Sequence, residues 1–352
     1  MRVALLKSHM ASQGGLEKIT RGLAHAFARR NCPVTLLTTD CSHSTDIPCE
    51  VIQLGYRSKF SFHHVRSFDA ACTAWLQQYP YDIVFGLERN RFQTHYRAGS
   101  GVHAAYLAQR MRYEKGLSHH LAFCNPLHRL ILDIEKSAFT SPQLRRLFTN
   151  SKMVKEQLID YYKVPEHKMT VVPNGVDWER WGPSFVPHKP KNPFTFLFVG
   201  NGYKRKGLPF ILKALPFLTD YDFQILVVGK DKGPPLKHPR LQVHGSVGDL
   251  TPFYQKAHAL LLPSLYDPFA NVTVEALAMG LFVVSSRFNG GCEILTPEIG
   301  TIIDKLDDPQ SVAASMELAL KRSHCPDLIR KSVQGLDFSQ QLDKIVDLTL
   351  HD

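Results

Sequence analysis

The chain has 352 residues, 44% of them hydrophobic and 21% charged, and 42 Lys and Arg against 32 Asp and Glu give it a net charge of +10. That length exceeds what a single hydrophobic core usually supports, so two domains are expected. No run approaches the roughly 18 apolar residues of a membrane-spanning helix, and Lys7 and His9 break the first apolar stretch too early for a secretory signal. A cytosolic protein is therefore expected, and seven cysteines without close pairs (Cys32, Cys41, Cys49, Cys72, Cys124, Cys292 and Cys325) fit reduced thiols better than disulfides or a metal framework.

In chain order, short apolar strands alternate with amphipathic helices, the pattern of parallel sheets flanked by helices. The first half predicts strands at Arg2–Leu6, Val34–Thr38, Val51–Leu54, Asp82–Gly86, Arg146–Thr149 and Thr170–Val172. Helices are predicted between them at Gly15–Arg30, His64–Gln78, Val102–Arg112, Leu127–Phe139 and Ser151–Tyr162. A second series of strands begins at Phe194–Val199 and continues through Phe223–Val228, Leu241–His244, Ala259–Leu262 and Phe282–Ser285. Between the series, WERWGPSFVPHKPKNP carries four prolines and no periodicity, and reads as a linker. The expected organisation is α/β: residues 1–177 as one Rossmann-like domain, 178–193 as linker, 194–335 as a second, and 336–352 as a helix packing back on the first.

Open α/β sheets bind ligands at the C-terminal ends of their strands, where loops and helix N-termini converge. After the first strand, Gly14 and Gly15 open a helix and permit close approach of a phosphate or sugar, although a dinucleotide fingerprint is absent. After the first strand of the second series, Lys204, Arg205 and Lys206 cluster where a departing diphosphate would need cations. Further on, PSLYDPFANVTVEALAMG sets Asp267 before an apolar helix and Glu275 two turns inside it. The free N–H groups of that helix start would cradle an anion between the two carboxylates. The arrangement suits a long anionic ligand such as a sugar nucleotide. Eight helical positions rise roughly 12 Å, whereas the paired carboxylates of a glycoside hydrolase flank one bond about 5–9.5 Å apart.

Other polar residues carry less. His103 near a helix start can hydrogen-bond a substrate hydroxyl. The pairs His63–His64 and His119–His120 have no metal-spaced partners and read as surface. Asp220-Tyr221-Asp222 precedes a strand, at the wrong sheet edge for a metal site, and reads as a turn. The positive charge is uneven: residues 1–177 hold 23 Lys and Arg against 14 Asp and Glu, a balance of +9, and the rest of the chain a balance of +1. Such a surface would attract a phosphorylated acceptor, an anionic membrane or nucleic acid, or simply be solvated. No nucleic-acid-binding module is recognisable.

Taken in order, GGLEKITRGLAHAFARR, TNSKMVKEQLIDYYKVPEHKMTVVPNGVD, VGNGYKRKG, GSVGDLTPFYQKAHALLLPSLYDPFANVTVEALAMGLFVVSS and GGCEIL resemble family 4 of the glycosyltransferases, over about Arg2 to Asp304. Within that family, YRAGSGVHAAYLAQRMRYEKG, the adjacent Arg205-Lys206 and VVGKDK are similar to the lipopolysaccharide core glucosyltransferases. The resemblance implies the GT-B fold of two facing Rossmann-like domains and a retaining, metal-independent transferase without a cofactor. It implies a nucleotide-diphosphate sugar as donor, UDP-glucose or a close relative, and a lipid-linked or phosphorylated saccharide as acceptor. Arg205 and Lys206 would then hold the diphosphate with backbone N–H groups near Asn271 and Val272, and Glu275 the ribose. Asp267 would contact the transferred sugar, His103 would face that sugar, and Gly14–Gly15 would form the glycine loop. Val247, Phe269 and Ala270 would line the donor site. Two positions depart from the family pattern: Asp267 stands where Glu is usual, and Asn201 where many members have Arg. Peripheral attachment to the cytoplasmic face of the inner membrane matches such an acceptor, with Arg57, Lys59 and Arg66 as basic candidates. Alternatives are a soluble acceptor or another glycolipid, a related sugar-nucleotide epimerase, or a binding-only pseudoenzyme.

Overall fold

A computed structural model describes residues 1–10, 14–40, 47–55, 58–113, 125–187, 193–231, 233 and 237–352. Arg57, His119, His120, Cys41, Cys124, Lys232 and the Glu114-Lys115-Gly116 segment lie outside the described residues. The chain divides into two units, Met1–Pro173 with Ser339–Asp352, and Asn174–Phe338.

The first unit runs β1 (Val3–Leu6), α1 (Gly15–Arg29), β2 (Val34–Thr38), β3 (Glu50–Gln53), α2 (Ser61–Gln78), β4 (Ile83–Gly86), β5 (His95–Arg97), α3 (His103–Tyr113), α4 (Pro126–Phe139), β6 (Arg146–Thr149), α5 (Lys152–Tyr162) and β7 (Met169–Val171). The seven strands are parallel in the order β3-β2-β1-β4-β5-β6-β7. β1, β2 and β4 are buried along their whole length, as strands covered on both faces must be. β5 has no apolar run to announce it: its sequence is His-Tyr-Arg, and all three residues are buried. His95 lies parallel to the ring of Phe85, with centroids 6.4 Å apart.

The second unit opens with α6 (Trp178–Ser184), followed by β8 (Phe194–Val199), α7 (Tyr203–Lys206), α8 (Leu208–Ala214), β9 (Phe223–Val228), β10 (Leu241–Gly245), α9 (Thr251–Lys256), β11 (Ala259–Leu262), α10 (Asn271–Ala278), β12 (Phe282–Ser286), β13 (Gly300–Ile303), α11 (Pro309–Lys321) and α12 (Pro326–Lys331). Its six parallel strands follow the order β10-β9-β8-β11-β12-β13. Both sheets are therefore doubly wound, with a reversal of strand order beside the first strand of each unit. Such a reversal opens a crevice at the strands' C-terminal ends.

The segment read as a linker differs from what the sequence predicts. The proline-rich segment begins with a helix, because Trp181 is buried and packs edge-on against Tyr254 at 5.2 Å while Asp177 caps the helix start. Tertiary burial outweighs Pro183 in its last turn, and the segment belongs to the second unit. The chain's last helix, α13 (Phe338–Leu350), buries Leu342, Ile345, Val346 and Thr349 in the first unit. Arg30 there bonds Asp343 at 2.8 Å and Asp347 at 2.6 Å. Asp220-Tyr221-Asp222 forms the turn before β9.

Candidate functional site

In the second unit the reversal lies between β8 and β11, and the basic triplet and Asp267 come after these two strands. α7 is a single turn, which sorts the three cations: Lys204 is exposed, Arg205 half-buried and Lys206 buried. Lys206 Nζ donates to Asp267 Oδ2 at 2.6 Å, and Arg205 Nη1 lies 3.6 Å from the same oxygen. The aliphatic stem of Lys206 lies on Gly200, where a Cβ would come within 2.8 Å of it. Gly207 ends the turn at φ +88, a left-handed conformation favouring glycine, and a Cβ there would stand 1.7 Å from the carbonyl oxygen of Pro263. The loops after β8 and β11 can therefore approach this closely only with glycine at position 207, and their contact brings cation and carboxylate together.

Asp267 is fixed through its backbone. Its N–H donates to Phe288 O at 2.8 Å, and its carbonyl accepts from Gly290 N at 2.9 Å. Asn289, fully buried, ties the loop before α10 and the helix itself to β12 and the segment that follows it. Its Oδ1 accepts from Ala270 N and Gly291 N, both at 3.1 Å, and its Nδ2 donates to Ser285 Oγ at 3.0 Å and Thr273 Oγ1 at 3.3 Å. Phe269 and Ala270 are buried at the entry to α10, and Phe269 O accepts from Asn174 Nδ2 at 3.0 Å. The helix starts only at Asn271, so Glu275 is its fifth residue, a little over one turn in rather than two. Tyr254 donates its hydroxyl to Glu275 Oε2 at 2.9 Å, and burial beside that carboxylate holds the phenol well above its ordinary pKa. Asn271 and Val272 are in the first turn, where N–H groups lack intrahelical acceptors. Val247 lies just beyond the outer strand β10 at the same sheet edge, and Asn201 accepts from Lys230 N at 2.8 Å.

In the first unit the reversal lies between β1 and β4. Lys7, directly after β1, is buried. It donates to Glu88 Oε1 at 2.5 Å and lies 3.3 Å from Glu17 Oε1. The charge of Lys7 and the bonds from Lys7 and Ser8 outweigh desolvation and hold the Glu88 carboxyl below its ordinary pKa. A Cβ on Gly14 would fall 2.0 Å from Glu17 Oε2. The space over this glycine thus carries a carboxylate, which favours a sugar hydroxyl over a phosphate. Gly15 is the first residue of α1. A cavity of about 200 Å³ beside this loop is lined by Ser8, Leu16, Phe68, Glu88, Arg89, Ser100 and Ile131, among others.

His103 is the first residue of α3 and is buried. Its backbone N–H donates to both oxygens of Glu135 at 3.0 Å, and its Nε2 lies 2.9 Å from His128 Nδ1. Burial, with Arg89, His128 and Arg110 adding to it, depresses its pKa to about 3. At neutral pH it is therefore an uncharged hydrogen-bonding group.

Lys7, Glu88, His128, Glu135, Tyr254 and Asn289 were not among the residues predicted from sequence. The rule that ligands gather after strand ends would have marked Lys7, Glu88 and Asn289. No sequence signal marks the others, which meet their partners only through tertiary packing. Among the described residues no cluster of His, Cys, Asp or Glu has metal-binding geometry. Cys32, Cys49, Cys72, Cys292 and Cys325 are free thiols.

Residues 13–180 match the family model described as Glycosyltransferase Family 4, and residues 193–322 match Glycosyl transferases group 1. The two doubly wound parallel sheets are those of the GT-B glycosyltransferase fold, and each half of the chain matches a glycosyltransferase family model. It is similar to the structure of WaaG, a glycosyltransferase involved in lipopolysaccharide biosynthesis, with a TM-score of 0.80 and 20% identity over 99% of each chain. In sequence it is 28% identical over 197 residues to an uncharacterized glycosyltransferase of Methanocaldococcus jannaschii, covering 50% of each chain. It is 25% identical over 223 residues to the UDP-Gal:alpha-D-GlcNAc-diphosphoundecaprenol alpha-1,3-galactosyltransferase of Escherichia coli, covering 55% of this chain and 57% of the relative. The chain spans about half the length of these curated relatives.

Proposed function

We propose that the chain is a retaining, metal-independent glycosyltransferase that moves a hexose, glucose or a close relative, from a UDP-sugar to a lipid-linked, phosphorylated saccharide such as the lipopolysaccharide core. The observation that carries this reading is the pairing of Lys206 and Arg205 with Asp267 at the strand reversal of the second unit, one loop away from the start of α10. Arg205, Lys206 and the first-turn N–H groups at Asn271 and Val272 stabilise the departing diphosphate. These fixed cations supply charge compensation without a metal ion. Glu275, oriented by Tyr254, holds the ribose hydroxyls, and Asp267 and His103 contact the hexose. The acceptor hydroxyl attacks from the face that the diphosphate leaves, and the leaving phosphate takes its proton.

The E. coli relative's UDP-linked donor and diphosphate-linked acceptor support the choice of nucleotide and acceptor class. WaaG's part in lipopolysaccharide biosynthesis supports the core saccharide, and with it the narrower likeness to lipopolysaccharide core glucosyltransferase I. The balance of +9 in residues 1–177, with Lys59, Arg66 and the 73%-exposed Phe60 all exposed at or near the start of α2, fits peripheral binding to an anionic cytoplasmic membrane face. Among the described residues no helix is long and apolar enough to cross a membrane.

A donor screen by thermal shift tests the reading, since a ligand that binds only the folded protein raises its melting temperature. UDP-glucose should raise it most among nucleotide sugars. UDP release with acceptor should then fall in Arg205→Ala, Asp267→Ala and Glu275→Ala, and equal rates in all variants and wild type would sink the site assignment. Binding to anionic vesicles should weaken with salt and with neutralisation of Lys59 and Arg66.

A further inference from the structure

His103 is gripped twice by one helix. Glu135 of α4 accepts its backbone N–H, and His128, also on α4, lies against its ring, with centroids 4.9 Å apart. Glu135 is 2% exposed, and it also accepts the Tyr162 hydroxyl at 2.8 Å and lies 3.4 Å from Arg89 Nε. The end of α5 and the loop after β4 are thereby tied to the start of α3. Among the described residues, the charged groups near the two rings are Arg89, Arg110 and Glu135, and the Tyr106 ring lies 5.8 Å from that of His103. Burial and Arg110 also lower the pKa of His128, so both rings are neutral near pH 7.

A neutral imidazole carries one N–H, and the partner of one ring nitrogen decides whether the other donates or accepts. With Nε2 of His103 engaged at 2.9 Å, a single proton occupies the gap between the rings. Whichever ring donates it, Nδ1 of His103 is left with one polarity. A ring without such a partner would exchange between tautomers and rotate.

We propose that His128 is a positioning residue: its hydrogen bond holds the His103 imidazole in one neutral tautomer and one orientation, so that Nδ1 offers a fixed hydrogen-bonding polarity to a hexose hydroxyl. The catalytic part of this rests on the role proposed for His103 at the hexose. Glu135 fixes the backbone of the same residue, and His128 fixes its ring.

Two measurements decide it. In protein labelled with ¹⁵N-histidine, long-range proton–nitrogen correlation of His103, assigned by its loss in His103→Ala, should show the shifts of one neutral tautomer. His128→Leu should give averaged shifts. His128→Asn, which places an amide where Nδ1 stood, should keep a single pattern and so guard against mere misfolding. In steady-state turnover of UDP-glucose, His128→Leu should lower kcat about tenfold, the worth of one buried hydrogen bond. Affinity for UDP, which lacks the hexose, should be unchanged. His128→Asn should recover most of the rate, and His128→Leu should cost nothing further in a His103→Ala background. Averaged shifts in the wild type, or an equal loss in the His103→Ala background, would overturn the proposal. Should the wild type fail to use any nucleotide sugar, the functional reading falls while the nitrogen shifts still decide the role of His128.

Discussion

At the strand reversal of the second unit the working groups are charges: Lys206 and Arg205 converge on Asp267, and Glu275 stands on the next helix. Beside the reversal of the first unit lies a second kind of chemistry. His103 is neutral and buried, and a carboxylate, a phenol and a second imidazole hold it through hydrogen bonds. One topology thus yields a site of paired charges and another of neutral hydrogen-bonding groups, which in the proposed reading balance a leaving anion and present a hydroxyl partner. Coulombic groups tolerate small displacements because their force falls off slowly, whereas a neutral hydrogen bond demands fixed geometry. The first unit accordingly holds a single residue by hydrogen bonds to both its backbone and its ring.

Substitutions can break this contrast, and the largest effect is expected in the charged site. Lys206→Met should lower donor turnover roughly 10²–10³-fold, the scale of losing one group that stabilises developing negative charge. The same variant leaves the buried Asp267 carboxylate without its nearest cation, so its urea midpoint should also fall, and turnover is compared without urea where both proteins are folded. Asn289→Ala removes four hydrogen bonds between the entry and first turn of α10 and the end of β12 with the segment that follows it, and should lower stability by about 1–3 kcal/mol, read as a shift in urea midpoint. The neutral unit should reveal itself through pH. Burial pushes the pKa of His95 down to about 4 and that of His103 to about 3. The unfolded chain takes up protons near 6.5, so the stability provided by these neutral rings is complete above that pH. It drains away as pH falls through 6.5 toward 4 and 3, by up to about 1.4 kcal/mol per pH unit for each ring. Thermal unfolding across pH 7.5 to 4.5 should show this slope, and His95→Asn should flatten it. The smallest effect is expected for Tyr254→Phe, which removes one hydrogen bond to Glu275 and should raise KM for the donor about fivefold, or roughly 1 kcal/mol.

The sequence revealed elements wherever burial is uniform and apolar. Phe194–Val199 and Phe223–Val228 are legible because a strand covered on both faces must be written in apolar residues. β5 was not legible, because His95, Tyr96 and Arg97 are buried polar and aromatic residues whose burial depends on Phe85 and on the strands either side. The helix at Trp178–Ser184 was hidden by prolines, and only the contact of Trp181 with Tyr254 explains it. The same division runs through the sites. Arg205, Lys206 and Asp267 stand just beyond strands, where local order predicts a ligand edge. His128 and Glu135 lie 25 and 32 positions from His103, and nothing local ties them to it.

The last helix of the chain completes the sheet unit that the first residues begin, since Leu342, Ile345 and Val346 are buried there. During synthesis the ribosome must therefore deliver the whole of Asn174–Phe338 before the N-terminal unit can be finished. At 5–20 residues per second, that interval is roughly 8–33 s. The second unit, contiguous in the chain, can fold during this time. The N-terminal unit waits with apolar surface uncovered. Although it is made first, it matures last, and a nascent chain stalled between residues 173 and 338 should present chaperones with that exposed face.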